Sequence, residues 1–169
     1  MYESFYQLNS NPFRLAPDPK FCFSHPSYDK AKVYLEYALN LSEGFVIVTG
    51  RPGTGKTTLI NAYLHSLKVS PVVAAKVAVP NLNADDLLRA VAYAYEIDVE
   101  GMDMASTLRR LEQFFIQQVR ARKRILLIID EAQGLSRSAL EELRMLADMQ
   151  IESRFLVQIF LVGQEKLLE

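Results

Sequence analysis

The chain has 169 residues, half of them hydrophobic and 23% charged, which fits one domain with a substantial core and excludes a disordered or low-complexity segment. A formal net charge of −1 gives no overall attraction to nucleic acid or to an anionic membrane. The single cysteine, Cys22, excludes an internal disulfide and a thiolate metal cluster, and no apolar stretch has the length to cross a bilayer.

Residues 1–28 are rich in aromatics (Tyr2, Phe5, Tyr6, Phe13, Phe21, Phe23) and in proline (Pro12, Pro17, Pro19, Pro26). Proline fixes φ and biases the preceding residue away from the helix, so this segment reads as an extended arm lying on the body and anchored by its rings. Those rings either cover core surface or cover a bound base. It has no basic region followed by an apolar run, so it is not a secretory signal, and a cytoplasmic location is expected. From Ser27 to Leu41, Ala31, Tyr34, Leu35, Ala38 and Leu39 fall at helical spacing, with Ser27 as the N-cap.

Phe45 to Val48 reads as a buried strand that breaks into Gly50-Arg51-Pro52-Gly53-Thr54-Gly55-Lys56-Thr57-Thr58 and re-emerges as a helix through Leu67. The pattern G-x-x-x-x-G-K-[ST] is complete. A loop that wraps a polyphosphate with inward-pointing backbone N–H groups needs dihedrals and clearances that residues without a Cβ adopt at least cost. Residues 50, 52–58 are therefore the expected nucleotide cradle. Lys56 is placed to bridge the β- and γ-phosphates of ATP, and the Thr57 hydroxyl to ligate Mg²⁺.

Pro71 to Val79 is a nearly all-apolar, β-branched run that fits a strand buried on both faces. Asn83 caps a helix running to Tyr95, and a second amphipathic helix spans Met104 to Ala121. Arg109, Arg110, Arg120, Arg122, Lys123 and Arg124 form a basic concentration. It reads either as a helix C-terminus with its preferred cations or as a nucleic-acid contact that the net charge does not support.

Ile125 to Ile129 is a buried strand ending in Asp130 and Glu131. In a parallel sheet, carboxylates at that end emerge where ligands sit. Asp130 is expected to hold Mg²⁺ through water, and Glu131 to polarise the water that attacks the γ-phosphate. Ser136 caps the next helix, whose inward candidates are Leu140, Leu143, Met145, Leu146 and Met149. Phe155 to Val162 is a further strand, which brings Gln164 to the same crevice as a γ-phosphate contact or leaves it a turn residue. Strand alternating with helix argues an α/β fold with helices on both faces of a parallel sheet.

With GRPGTGKT, LLIIDEAQGLS, LVGQ and the arm YESFYQLNSNPFRLAPDPKFCF in place, the chain resembles the AAA+ ATPases of the ExeA/GspA general secretion type. It is most similar to the subgroup encoded beside exosortase (PEP-CTERM) and exopolysaccharide loci. The resemblance implies a P-loop NTPase three-layer sandwich, ATP hydrolysis, a sensor-1 role for Gln164, homo-oligomers, and work coupled to a cell-envelope assembly system at the inner-membrane face. It also implies a sheet of strand order 5-1-4-3-2, of which four strands are countable. Residues 29–169 then read as a partial core, truncated before the fifth strand and the helical lid. Glu165-Lys166-Leu167 departs from the Pro-Glu-Leu common in that family, and Tyr28 from a frequent histidine. Arg137, Arg144 and Arg154 are all conceivable trans-acting fingers. Alternative readings are a DNA-dependent AAA+ regulator of the transposition type and a nucleotide-binding module without turnover.

Overall fold

The computed structural model of the chain describes residues 5–8, 25–41, 44–78 and 82–168. Most of the aromatic and proline arm thus lies outside the described residues, Cys22 included. Within it, Phe5 and Tyr6 are exposed and meet edge to face with ring centroids 5.0 Å apart.

Helix α1 spans Pro26–Leu41. It starts one residue before the expected cap, because proline's fixed φ and missing N–H suit the first helical position. Ser27 is therefore inside the first turn, and its N–H donates to His25 Nδ1 at 3.2 Å. Strand β1 (Phe45–Thr49) leads into the glycine loop and helix α2 (Lys56–Leu67). Strand β2 (Val72–Ala78) is followed by helices α3 (Ala84–Ala94) and α4 (Met104–Arg120). Asn83 accepts from the Asp86 N–H and Asp103 from the Ser106 N–H, so each helix has a side-chain cap for an otherwise orphan donor.

Strand β3 (Arg124–Asp130), a short 3₁₀ turn (Ala132–Gly134) and helix α5 (Arg137–Ala147) complete the second unit. Ser136 caps α5 by accepting from the Ala139 N–H. The inward face of α5 is Ala139, Leu143, Leu146 and Ala147, while Leu140 and Met145 are exposed. The small alanines let the helix approach the sheet along a face turned away from those two larger residues.

The expected strand from Phe155 to Val162 divides. Phe155 belongs to a two-residue strand β5 (Arg154–Phe155) that pairs antiparallel with β4 (Gln150–Ile151), and the sheet strand β6 runs Gln158–Gly163. Glu152 and Ser153 both have positive φ and make the tight turn between β4 and β5, a reversal that a purely hydrophobic pattern does not register.

The four long strands are parallel in the order β1-β6-β3-β2. This is the 1-4-3-2 portion of the expected sheet, with β1 and β2 at its two edges, so the two runs expected as buried strands are only partly covered: no residue of β1 is buried, and in β2 only Ala75 and Val77 are. Residues alternate between the faces. Ile125, Leu127, Ile129, Ile159 and Leu161 pack against α3, α4 and α5, whereas Leu126, Ile128, Phe160 and Val162 pack against α1 and α2. Two buried phenols tie layers together: Tyr95 donates to Leu126 O at 2.9 Å and Tyr63 to Leu35 O at 3.3 Å. Burial pushes the Tyr95 phenol well above its ordinary value; burial, aided by Glu36 and opposed by Arg124, pushes Tyr63 up to about 12. No described helix is long and apolar enough to cross a membrane.

Candidate active site

The loop between β1 and α2 turns on two glycines in the left-handed region, Gly53 at φ +79° and Gly55 at φ +85°. Any other residue would be strained at both. Gly55 occupies the N-cap of α2 and offers no side-chain acceptor, so the first amides of that helix keep no side-chain cap. Thr54 stiffens the loop from within, its hydroxyl donating to Arg51 O at 2.9 Å. The Lys56 ammonium lies back over the same loop, donating to Gly50 O at 2.8 Å and Arg51 O at 3.0 Å.

Asp130 reaches this loop from β3. It is the last residue of the strand and pairs in register with Ala78 on one side and Val162 on the other. Its side chain falls on the α2 face, two positions beyond Ile128. The Thr57 hydroxyl donates to Asp130 Oδ2 at 3.3 Å, across 73 residues of sequence. The second oxygen, Oδ1, accepts from the Glu131 N–H at 3.1 Å. Two segments far apart in the chain thus converge on one cleft.

The sequence reading missed the partner on the other side of that carboxylate. The Lys76 ammonium lies 2.8 Å from Asp130 Oδ2 and also donates to Asn61 Oδ1 at 3.2 Å. Both placements follow from periodicity. Lys76 shares a strand face with Ala78, which is registered with Asp130, and Asn61 lies one helical turn beyond Thr57. A lysine inside the otherwise apolar run PVVAAKVAV was the available signal, since a buried cation requires an anion.

Glu131 has φ +58°, uncommon for a residue with a side chain, and it begins the 3₁₀ turn. Its carboxylate accepts from Gln133 Nε2. Gln164 follows β6; its side chain is exposed and its backbone N–H donates to Gln133 Oε1 at 3.0 Å. The residues expected to form the site therefore gather at the C-terminal ends of β1, β3 and β6, with Gln133 and Lys76 added.

A magnesium ion fits the donor set. Thr57 and Asp130 supply hard oxygen atoms, and no described cluster of three or more His, Cys, Asp or Glu side chains forms a cage, so phosphate and water oxygens would complete the shell.

A glycine loop joining a strand to a helix, an aspartate at the end of the parallel strand that lies beyond β6 from it, and helices on both sheet faces define a P-loop α/β protein of the AAA+ class. Residues 40–169 match the AAA domain family, and the chain belongs to it. The chain is 32% identical to General secretion pathway protein A of Aeromonas hydrophila, over 99% of its own length and 30% of that protein's, which bears out its likeness to the general secretion type. It thus spans about a third of that relative. Among solved structures it is similar to Cdc6p from Pyrobaculum aerophilum, with a TM-score of 0.65 and 17% identity over 98% of this chain and 44% of that one. The ORC2 protein of Aeropyrum pernix, solved as ADPNP and ADP complexes, gives a TM-score of 0.62 and 20% identity over 91% and 44% of the two chains. Those likenesses extend to the fold.

Proposed function

We propose that the chain binds ATP in the cleft between the glycine loop and β3 and hydrolyses it to ADP and phosphate. The observation that carries this reading is the convergence of Thr57 and Asp130 at 3.3 Å beside a complete phosphate loop. Loop amides of residues 50 and 53–58 and the α2 N-terminus would hold the phosphates, with Pro52, which has no N–H, shaping the loop beside them. Lys56 would leave the loop carbonyls for the β- and γ-phosphates, exchanging neutral acceptors for anionic ones. Thr57 and Asp130 would hold Mg²⁺, whose charge offsets that of the phosphates. Glu131 would accept the proton of a water whose oxygen attacks the γ-phosphorus while the bond to the ADP oxygen breaks. Gln164 would contact the γ-phosphate or that water.

Similarity to a general secretion protein supports a role in energising or regulating a cell-envelope secretion or exopolysaccharide assembly system, at the inner-membrane face and as a homo-oligomer. The exosortase-associated subgroup, and the division into an arm over 1–28 and a core over 29–169, belong to the same proposal. A DNA-dependent regulator is the second reading. It is favoured by Arg122, Lys123, Arg124 and Arg154, which line one open cavity of about 720 Å³ at the sheet end remote from the phosphate loop. DNA binding that weakens steeply with salt, together with DNA-stimulated turnover, would favour it.

ATP turnover and nucleotide affinity of Lys56→Ala and Glu131→Gln test the main reading. Lys56→Ala should lose affinity; Glu131→Gln should keep affinity and lose about 10²- to 10⁴-fold in turnover, the usual contribution of a general base. Parent-level hydrolysis by Glu131→Gln would remove Glu131 from the chemistry. A parent that binds ATP without turnover would leave a binding module.

A further inference from the structure

Gln133 makes two contacts with one amide. Its Nε2 donates to the Glu131 carboxylate, and its Oε1 accepts from the Gln164 backbone N–H at 3.0 Å, 31 residues away. Chemistry permits one orientation only, because a carboxylate solely accepts and a backbone N–H solely donates. An i, i+2 contact on an exposed turn forms easily by itself. The reach to β6 does not, and the neighbouring backbone is shaped for it. A Cβ built on Gly163 would lie 2.6 Å from Gln133 Oε1 and 3.4 Å from Gln133 N. Gly163 does not have a positive φ, so its own dihedrals do not call for glycine. The group nearest that clearance is the Gln133 amide, with Leu167 Cδ2 next at 3.3 Å.

We infer that Gln133 is a positioning residue that holds the Glu131 carboxylate in its working direction and couples it to the end of β6, where Gln164 stands. The inference rests on reading Glu131 as the base. Glu131 itself sits in a left-handed conformation at an exposed turn, and the Gln133 amide hydrogen-bonds its carboxylate there. A shift of β6 at Gln164 would pass through one rigid amide to the carboxylate that activates water.

Three variants of the 169-residue chain test this. Gln133→Ala should lower kcat by about ten- to a hundredfold, the range for losing a hydrogen bond to a charged group, with nucleotide affinity unchanged. Gln133→Glu, which places a second carboxylate against Glu131, should lower kcat further. Gly163→Ala should mimic Gln133→Ala by displacing the amide, and it should add little in the Gln133→Ala background. Unchanged or raised kcat in Gln133→Ala, or additive losses in the double variant, would overturn the inference. If Glu131→Gln hydrolyses like the parent, the base assignment fails instead, which is a separate result. A second readout does not need turnover: the ¹⁵N–¹H resonance of Gln164 should move on Glu131→Gln in the parent and stay fixed in the Gln133→Ala background. Equal movement in both backgrounds would show that the coupling runs elsewhere.

Discussion

Replacing Lys76 by methionine should destabilise the nucleotide-free protein through a charge left behind. The Asp130 side chain is 8% exposed and that of Lys76 23%, at 2.8 Å. Removing one member of a fully buried pair costs about 3–5 kcal/mol, mostly from the stranded partner. Here the cost is smaller, because Lys76 retains some hydration and Asp130 keeps the Thr57 hydroxyl and the Glu131 amide. We expect roughly 2–3 kcal/mol, which corresponds to a fall in Tm of about 4–12 °C for a chain of this size. Urea titration at constant pH without nucleotide measures it. In Lys76→Met/Asp130→Asn neither charge is buried, so the loss should be well below the sum of the single losses. A Lys76→Met stability within about 0.5 kcal/mol of the parent, or additive losses in the double variant, would refute the reasoning.

The helix caps give smaller effects: Asn83→Ala and Ser136→Ala should each cost about 1 kcal/mol in urea titrations, with serine or asparagine at either position restoring most of it. The buried phenols make stability fall at high pH. Tyr63 ionises at about 12 in the folded chain and burial raises Tyr95 well above its ordinary value, while both ionise near 10 when unfolded. Their contribution is complete below pH 10 and declines as pH rises from there through the folded values, by up to about 1.4 kcal/mol per pH unit for each phenol. Urea midpoints between pH 9 and 11 should fall more steeply in the parent than in Tyr63→Phe/Tyr95→Phe; parallel curves would contradict the assignment.

The phosphate loop was readable because its constraint is local. Gly53 and Gly55 are required by their own φ values, and Lys56 and Thr57 follow by fixed spacing along one loop and one helix turn. The Ile125–Ile129 run was readable for a similar reason: a strand buried on both faces has no polar interruption until Asp130. Where the local rule was incomplete, so was the reading. Hydrophobic periodicity placed Leu140 and Met145 inward on α5, but the sheet accepted the alanine-lined face. It also joined Phe155 to β6, although positive φ at Glu152 and Ser153 folds that residue into a separate hairpin.

What the chain alone determined was the set of pieces: a glycine loop entering a helix, apolar strands, capped helices, and an acidic pair at a strand end. Each depends on neighbours within a few residues. Which side chains meet was decided by strand register and layer packing. Ala78 opposite Asp130 brings Lys76 to the carboxylate, and the β3–β6 pairing brings Gln133 to the amide of Gln164. Contacts spanning 31 to 73 residues carry no periodic trace in sequence, because the pairing that creates them is a property of the assembled sheet.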